Sequence, residues 1–117
     1  MIFGHIEQFV SDDLSPQEAA QLRCDPRPLA GVGPSTLLMR RTDSLRVGPF
    51  DESLSTGEFI EWHSRASDAG LRTITIEDVV CRRRLHRNNI GRSRNTSDAD
   101  YVRMLKKVLD RRQSAAQ

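Results

Sequence analysis

Four stretches of the chain carry the hydrophobic pattern of β-strands. Ile2–Val10 is rich in Ile, Phe and Val, and the compact apolar run at residues 35–40 is typical of a strand that is buried on both faces. Two more runs, residues 71–76 and 79–85, are separated by a pair of acidic residues. The pattern therefore predicts four strands, of which the last two are distinct.

Start signals for helices lie between these strands. Ser15 is placed to cap a helix that has proline at its first position and Glu18 at its third, and we expect this helix to end near residue 23. Residues 55–58 form a second possible capping box, for a helix that runs to about Ala69 and stops at Gly70. The predicted apolar face of this second helix consists of Phe59, Trp62, His63 and Ala66.

Two further helices are predicted. Asp43 can cap a single helical turn that stops at Gly48. The last helix is expected at about residues 97–112, because acids lie in its first turn and bases in its last, as the helix dipole prefers. Its predicted buried stripe consists of Tyr101, Val102, Leu105, Val108 and Leu109. Strands and helices are interleaved, so the predicted fold class is α/β.

Composition sets the size and the compartment that we expect. A chain of 117 residues fits one small domain, and 37% hydrophobic with 29% charged residues is typical of a water-soluble protein. No apolar run approaches the ~20 residues that a membrane span needs. The N-terminus has no basic region and no cleavage site of a signal peptide, so we expect a cytoplasmic protein. Cys24 and Cys81 are expected to be free thiols there.

Charge is unevenly distributed, although the formal net charge is only +2. Residues 82–94 contain six arginines and no acid, whereas residues 51–61 contain four acids. This arrangement indicates a local contact with a phosphate or polyanion. It argues against a general nucleic-acid binder, because such a protein is basic over a whole face.

An ordered run of motifs occupies residues 33–91. An apolar strand led by Gly33 ends in two arginines, and VGPFDE follows at residues 47–52. A Gly-Glu pair then opens a helix that carries Arg65; AGLR follows at residues 69–72, and a basic segment with a histidine follows at residues 82–86. This order resembles the second half of the family-2, GT-A-type nucleotide-sugar glycosyltransferases.

The resemblance covers about half of the chain, and it implies a partial GT-A-like mixed sheet flanked by helices. In that interpretation residues 1–117 form one domain that corresponds to the C-terminal, acceptor-side half of such an enzyme, with its last helix at about residues 97–112. The first half of the family carries an Asp-x-Asp metal motif, and no acid pair of this sequence fits that motif well. Whether the chain is an enzyme therefore stays open at this point.

The resemblance implies a divalent metal, manganese or magnesium, that bridges the phosphates of UDP or a UDP-sugar. His86 matches the late histidine that completes the metal shell in related enzymes, and a loop histidine without a ligand is the alternative. Arg84, Arg87 and Arg92 are candidate phosphate contacts, because guanidinium is permanently charged and bidentate. Strand alternation sends Arg84 and Arg83 to opposite faces, so the arginine run cannot act as one patch.

Glu58 is the candidate general base, since one acid of the Gly-Glu segment commonly has that role in the family. The residue after it is Phe59 rather than a second acid, and Glu61 can substitute. The alternative is that Glu58 only caps its helix. Trp62 can stack against a sugar ring or belong to the core. Gly33 lies in a loop that resembles the acceptor side, where small residues allow close approach.

Three functions follow from these observations. The first is a glycosyltransferase-like domain that binds UDP or a UDP-sugar with the metal and transfers the sugar to an unknown acceptor hydroxyl. The second is a non-catalytic, truncated glycosyltransferase-like interaction protein that forms a homodimer over an exposed sheet edge. The third, a nucleic-acid binder, is disfavoured by the acidic half of the chain.

Overall fold

The computed structural model describes residues 1–89 and 98–117. These residues group into two compact units, each of which contains two separate parts of the chain. The first unit contains residues 1–38 and the described residues from 73 to 89; the second contains residues 39–72 and 98–117. Arg92, one of the predicted phosphate contacts, lies outside the described residues.

The first unit is built on a mixed sheet whose central strand is β1 (Ile2–Val10). This strand pairs in antiparallel fashion with β2 (Leu29–Ala30) and β3 (Leu37–Leu38), and in parallel with β4 (Ile74–Leu85). Because β4 follows β1 along its whole length, β2 and β3 must share the opposite edge of β1. The predicted α/β class is confirmed, and the first predicted strand has the expected bounds.

β4 is one strand where the sequence predicted two. The acidic pair at residues 77–78 interrupts the pattern, but the structure accommodates it as a register shift against β1 rather than as a turn. The strands approach closely here, since a Cβ added to Gly4 would lie 2.5 Å from Cγ2 of Val80. Phe3, on β1, is fully buried and lies at the centre of this unit's core.

The short elements of the first unit differ from the prediction in length. α1 (Pro16–Ala20) begins with the predicted capping box between Ser15 and Glu18, but it ends three residues early. The prediction of a doubly buried strand at residues 35–40 was wrong. Pro34–Thr36 forms a 3-10 turn instead, in which the hydroxyl of Thr36 donates a 3.1 Å hydrogen bond to the Gly33 carbonyl. Only the two-residue strand β3 remains, and its Leu38 is 69% exposed.

The second unit consists of α2 (Arg41–Val47), α3 (Glu58–Asp68) and α4 (Asp98–Ala115). Gly48 and Gly70 follow α2 and α3 with φ of +86° and +82°, as the predicted helix stops require. Asp43 lies in the first turn of α2 but is not its cap, because the N-cap residue is Arg40.

The predicted capping box of α3 was wrong. Its N-cap is Gly57, with φ of +80° and no side-chain cap. Ser55 instead donates through both its backbone N–H and its hydroxyl to the carboxylate of Asp100, on α4. The hydroxyl bond is the main reason why the pKa of Asp100 lies below its ordinary value.

The predicted buried stripe of α4 was also wrong. The helix contacts the rest of its unit through Asp100 and Met104, which are buried, while four of the five predicted positions are exposed. Ion pairs determine this rotation of the helix, because Lys107 binds Asp51 and Arg111 binds acids of α3. Among the described residues, no helix is long and apolar enough to cross a bilayer.

Candidate functional site

In the second unit, the turn that follows α2 is held by two side chains of α3. Nη1 and Nη2 of Arg65 each donate a 2.6 Å hydrogen bond, to the carbonyls of Val47 and Pro49. Nε1 of Trp62 donates 2.9 Å to the carbonyl of Gly48, between them. The VGP turn and the helix that carries Trp62 and Arg65 therefore form one rigid arrangement, in which consecutive carbonyls are satisfied by side chains.

Glu61 is the buried counter-ion of this arrangement. Its side chain is 6% exposed, and both of its oxygens lie 3.0 Å from Nε of Arg65. Nη1 of Arg111 donates a third hydrogen bond, at 2.9 Å. The oxygens of the Glu61 carboxylate are occupied by two guanidinium groups, so this side chain joins α3 to α4 and is not placed to act as a base.

Glu58 is placed differently. It is the first residue of α3 and is half-buried, and the described part of the chain offers it no hydrogen bond or ion pair. Glu58 and Trp62 are four residues apart, so they lie on the same face of the helix, one turn apart. Glu58 is therefore available to accept a proton from a bound hydroxyl.

An aromatic cluster lies beside the start of α3. The ring centroid of Trp62 is 5.4 Å from that of Phe50 and 5.9 Å from that of Phe59. Trp62 itself is 3% exposed and its N–H is used, so its ring belongs to the core rather than to an open platform. Phe50 is 42% exposed and offers the accessible ring of the cluster. The sequence interpretation missed Phe50, although its place after a glycine-proline turn was a signal.

In the first unit, the basic segment is at the end of β4, and two of its arginines are already paired. Nε of Arg82 donates 2.5 Å to Glu7, and its guanidinium lies 5.0 Å from the ring centroid of Phe9. Arg87 binds Glu18 in a bidentate pair at 2.6 and 2.7 Å. That pair is the main cause that lowers the pKa of Glu18 to about 2.

Arg84 is the predicted phosphate contact with an available side chain. It is exposed, and within the described ranges its guanidinium makes no hydrogen bond or ion pair. The pKa of Asp13 lies below its ordinary value mainly because Ser11 donates a hydrogen bond to it, and the positive charge of Arg84 contributes less. Arg87, by contrast, would have to release Glu18 before it could bind a phosphate. Arg84 is therefore the first candidate in this segment.

His86 is linked to Arg84 through a small hydrogen-bonded turn. Oδ1 of Asn89 accepts 2.7 Å from the His86 N–H, while Nδ2 of Asn89 donates 3.2 Å to the Arg84 carbonyl. Nδ1 of the imidazole accepts 3.1 Å from the N–H of Asn88, so Nε2 is the nitrogen left for a ligand. Residues 1–89 and 98–117 contain no group of three or more His, Cys, Asp or Glu side chains that could hold a metal ion. The described donors therefore do not fit the implied metal.

Gly33 is half-buried at the N-cap of the 3-10 turn, with an extended φ of −166°. A Cβ added there would meet nothing within 4 Å. The local backbone therefore does not require glycine at this position. Its predicted acceptor-side role depends on a ligand that needs the space.

The predicted site residues are thus divided between the units. Gly33, Arg84, Arg87 and His86 belong to the first, and Glu58, Glu61 and Trp62 belong to the second. Comparisons with protein-family models, with curated proteins and with solved structures give no match. The function is therefore inferred from the chemistry of these residues.

Proposed function

We propose that the chain is a glycosyltransferase-like domain that binds UDP or a UDP-sugar and presents a carboxylate to an acceptor hydroxyl. The observation that supports this function best is the start of α3, where the available carboxylate of Glu58 lies one turn from an aromatic cluster with an exposed ring, Phe50. Aromatic rings bind the apolar face of a sugar, and a neighbouring carboxylate can orient and deprotonate its hydroxyl.

The chemistry assigned to Glu58 is general-base catalysis. As the acceptor oxygen forms a bond to the anomeric carbon, its proton passes to the carboxylate, and the bond from that carbon to the diphosphate oxygen breaks with its electron pair on the diphosphate. Separately, Arg84 in the first unit is the proposed contact for a phosphate oxygen, because it is exposed and its guanidinium is unpaired within the described residues. The predicted divalent metal is tested separately, by the Mn²⁺ arm of the titration, because the described donors do not form a metal site.

The experiment is a titration with UDP, with and without Mn²⁺, followed by thermal unfolding and calorimetry. Binding to the folded state stabilises it by RT ln(1 + [L]/Kd), and the unfolding temperature rises accordingly. We expect Arg84→Ala to weaken UDP binding about tenfold, as loss of a charge-assisted hydrogen bond would. Arg83→Ala, one residue away on the opposite face of the strand, is the matched control and should bind as the unaltered chain does. No shift at millimolar UDP under either condition would overturn the proposal.

A second candidate function is that of a non-catalytic interaction protein that forms a homodimer. The observation that favours it is β4, which pairs along its length with β1, while no described strand pairs with its outer edge. An unpaired strand edge is a site for association. Mass in solution tests this candidate, since it requires a dimer and the first candidate does not.

A further inference from the structure

The outward face of α4 carries a contiguous apolar row. Tyr101, Val102, Leu105 and Leu109 are between 40% and 65% exposed. Their spacing places them on one side of the helix, opposite the side on which Lys107 and Arg111 make their ion pairs. Single exposed leucines are ordinary on protein surfaces, but four apolar side chains on one helix face form a patch of the kind that binds another surface.

Of the two surfaces open to a second copy, α4 is better suited than the edge of β4. The register of β4 shifts twice along β1, and three consecutive arginines, residues 82–84, stand near the end of the strand. Irregularities and charges on an edge strand are the features by which natural proteins prevent edge-to-edge pairing. α4 has no such obstacle within its apolar row.

We propose that α4 packs against α4 of a second copy in antiparallel orientation, centred on Leu105. This goes beyond the glycosyltransferase-like function, and it replaces the edge of β4 by α4 as the surface through which the second candidate would act. The row is symmetrical about Leu105, because Tyr101 precedes it and Leu109 follows it by four residues. In an antiparallel pair Tyr101 therefore meets Leu109 of the second copy, and Leu105 meets its own equivalent.

Charge favours the antiparallel orientation over the parallel one. Asp98 and Arg112 lie seven residues before and after Leu105, and seven residues are close to two helical turns, so all three share a face. Antiparallel packing places Asp98 near Arg112 of the second copy, whereas parallel packing places like charges together. Arg112 bonds Asp68 of its own chain through Nε, but its side chain is 56% exposed. Its guanidinium has five N–H donors, so it can bind a second carboxylate.

One helix face is a small interface, so we expect a weak dimer. Interfaces below ~1,200 Å² in total are typical of transient association. The dimer should therefore form at high micromolar to millimolar concentrations, and sedimentation equilibrium should be carried to about 1 mM.

Cysteine cross-linking tests the register. In a Cys24→Ser, Cys81→Ser background, Leu105→Cys places two thiols on the symmetry axis, within reach of a disulfide. Leu109→Cys is the matched control on the same face, and in an antiparallel pair its thiols are separated by about 12 Å along the helix axis, since each residue rises 1.5 Å. We expect mild oxidation to link the Leu105→Cys chain at least tenfold more than the control. Equal linking at both positions would show parallel packing, and linking at neither would overturn the interface.

Sedimentation of a second pair of variants tests whether this surface carries the dimer. Leu105→Glu should make the chain monomeric at every concentration. Leu45→Glu should leave the dimer unchanged, because Leu45 is a leucine on α2 that is exposed to 69%, compared with 54% for Leu105. Circular dichroism checks that both variants are folded. A Leu105→Glu chain that still dimerises, or an unaltered chain that stays monomeric at 1 mM, would overturn the proposal. The Leu105→Glu chain should bind UDP as the unaltered chain does. If none of these chains binds UDP, the glycosyltransferase-like function is wrong, but the dimer interface is not affected by that result.

Discussion

Nη1 of Arg111 donates a 2.9 Å hydrogen bond to Oε1 of Glu61, a residue that is only 4% exposed. The bond joins α4 to α3, and the same carboxylate accepts two hydrogen bonds from Arg65. A charged network thus occupies the position where the sequence pattern predicted an apolar contact.

Replacing the Glu61 carboxylate should strongly destabilise the second unit. Glu61→Gln removes the negative charge that faces two arginines, and breaking a buried pair by removing one partner typically costs about 3 kcal/mol or more. We expect a loss of about 3 kcal/mol in the free energy of unfolding, measured by urea denaturation. Glu52→Gln, at an exposed position, is the control and should change it by less than about 0.5 kcal/mol. A small effect of Glu61→Gln would mean that the network contributes little.

The ion pair between Arg87 and Glu18 should make the first unit sensitive to acid. The pKa of Glu18 is lowered from 4.5 to about 2, first by the hydrogen bond from Arg87. Because the folded pKa lies below the ordinary value, the contribution to stability is present above pH 4.5 and is lost as pH falls toward 2. NMR titration of the Glu18 carboxyl checks the value. Arg87→Gln should return the pKa toward 4.5, and an unchanged midpoint would contradict the assigned cause.

The indole N–H of Trp62 should contribute separately from its ring. Trp62→Phe keeps an aromatic ring but leaves the Gly48 carbonyl without its donor, and we expect a loss of about 1 kcal/mol. Trp62→Ala also opens a cavity in the core and should cost about 3–5 kcal/mol. Thermal or urea unfolding of the two variants separates the hydrogen bond from the packing. Equal losses would show that the hydrogen bond rather than the ring dominates.

Glycine should be required at residue 70 and dispensable at residue 33. Gly70 has φ of +82°, so Gly70→Ala places a Cβ in the left-handed region and should cost about 1 kcal/mol. Gly33 has extended φ and open space around it, so Gly33→Ala is the matched control and should leave stability unchanged. If Gly33→Ala nevertheless weakens binding of an acceptor sugar, the predicted acceptor-side role of this loop gains support.

Glu58 should affect turnover and not stability. In an assay with UDP-sugar donors and sugar acceptors, Glu58→Gln should lower kcat about 100-fold or more, as loss of a general base does. The folded state should lose at most about 1 kcal/mol, from the charge at the helix N-terminus. Glu52→Gln again serves as the control for charge. Transfer that is unaffected by Glu58→Gln would rule out this residue as the base.

The sequence predicted correctly those elements that depend only on residues close together in the chain. Ser15 and Glu18 form the predicted capping box because both partners lie within one turn. Gly48 and Gly70 end their helices because their own backbone angles require glycine. The strand Ile2–Val10 has the predicted bounds because most of its residues have high β-propensity.

Contacts between distant residues overruled local signals elsewhere. Ser55 was predicted to cap α3, but it binds Asp100, which is 45 residues away. The stripe of α4 was predicted to be buried from its hydrophobicity, yet ion pairs turn that face outward. The same holds for the candidate site. Glu61 has Arg65 four residues later as a local partner, but the bond from Arg111, 50 residues away, could not be predicted from the sequence pattern.

The order of strands in the first unit has a consequence for synthesis of the chain. β1 is made first, but its parallel neighbour begins at Ile74, and the whole of residues 39–72 is translated between them. Until β4 has left the ribosome, the edge of β1 that pairs with it has no hydrogen-bonding partner. Long-range parallel pairing of this kind is intrinsically slow to form. Ribosome-bound intermediates that stop before residue 85 should therefore be the species that chaperones protect.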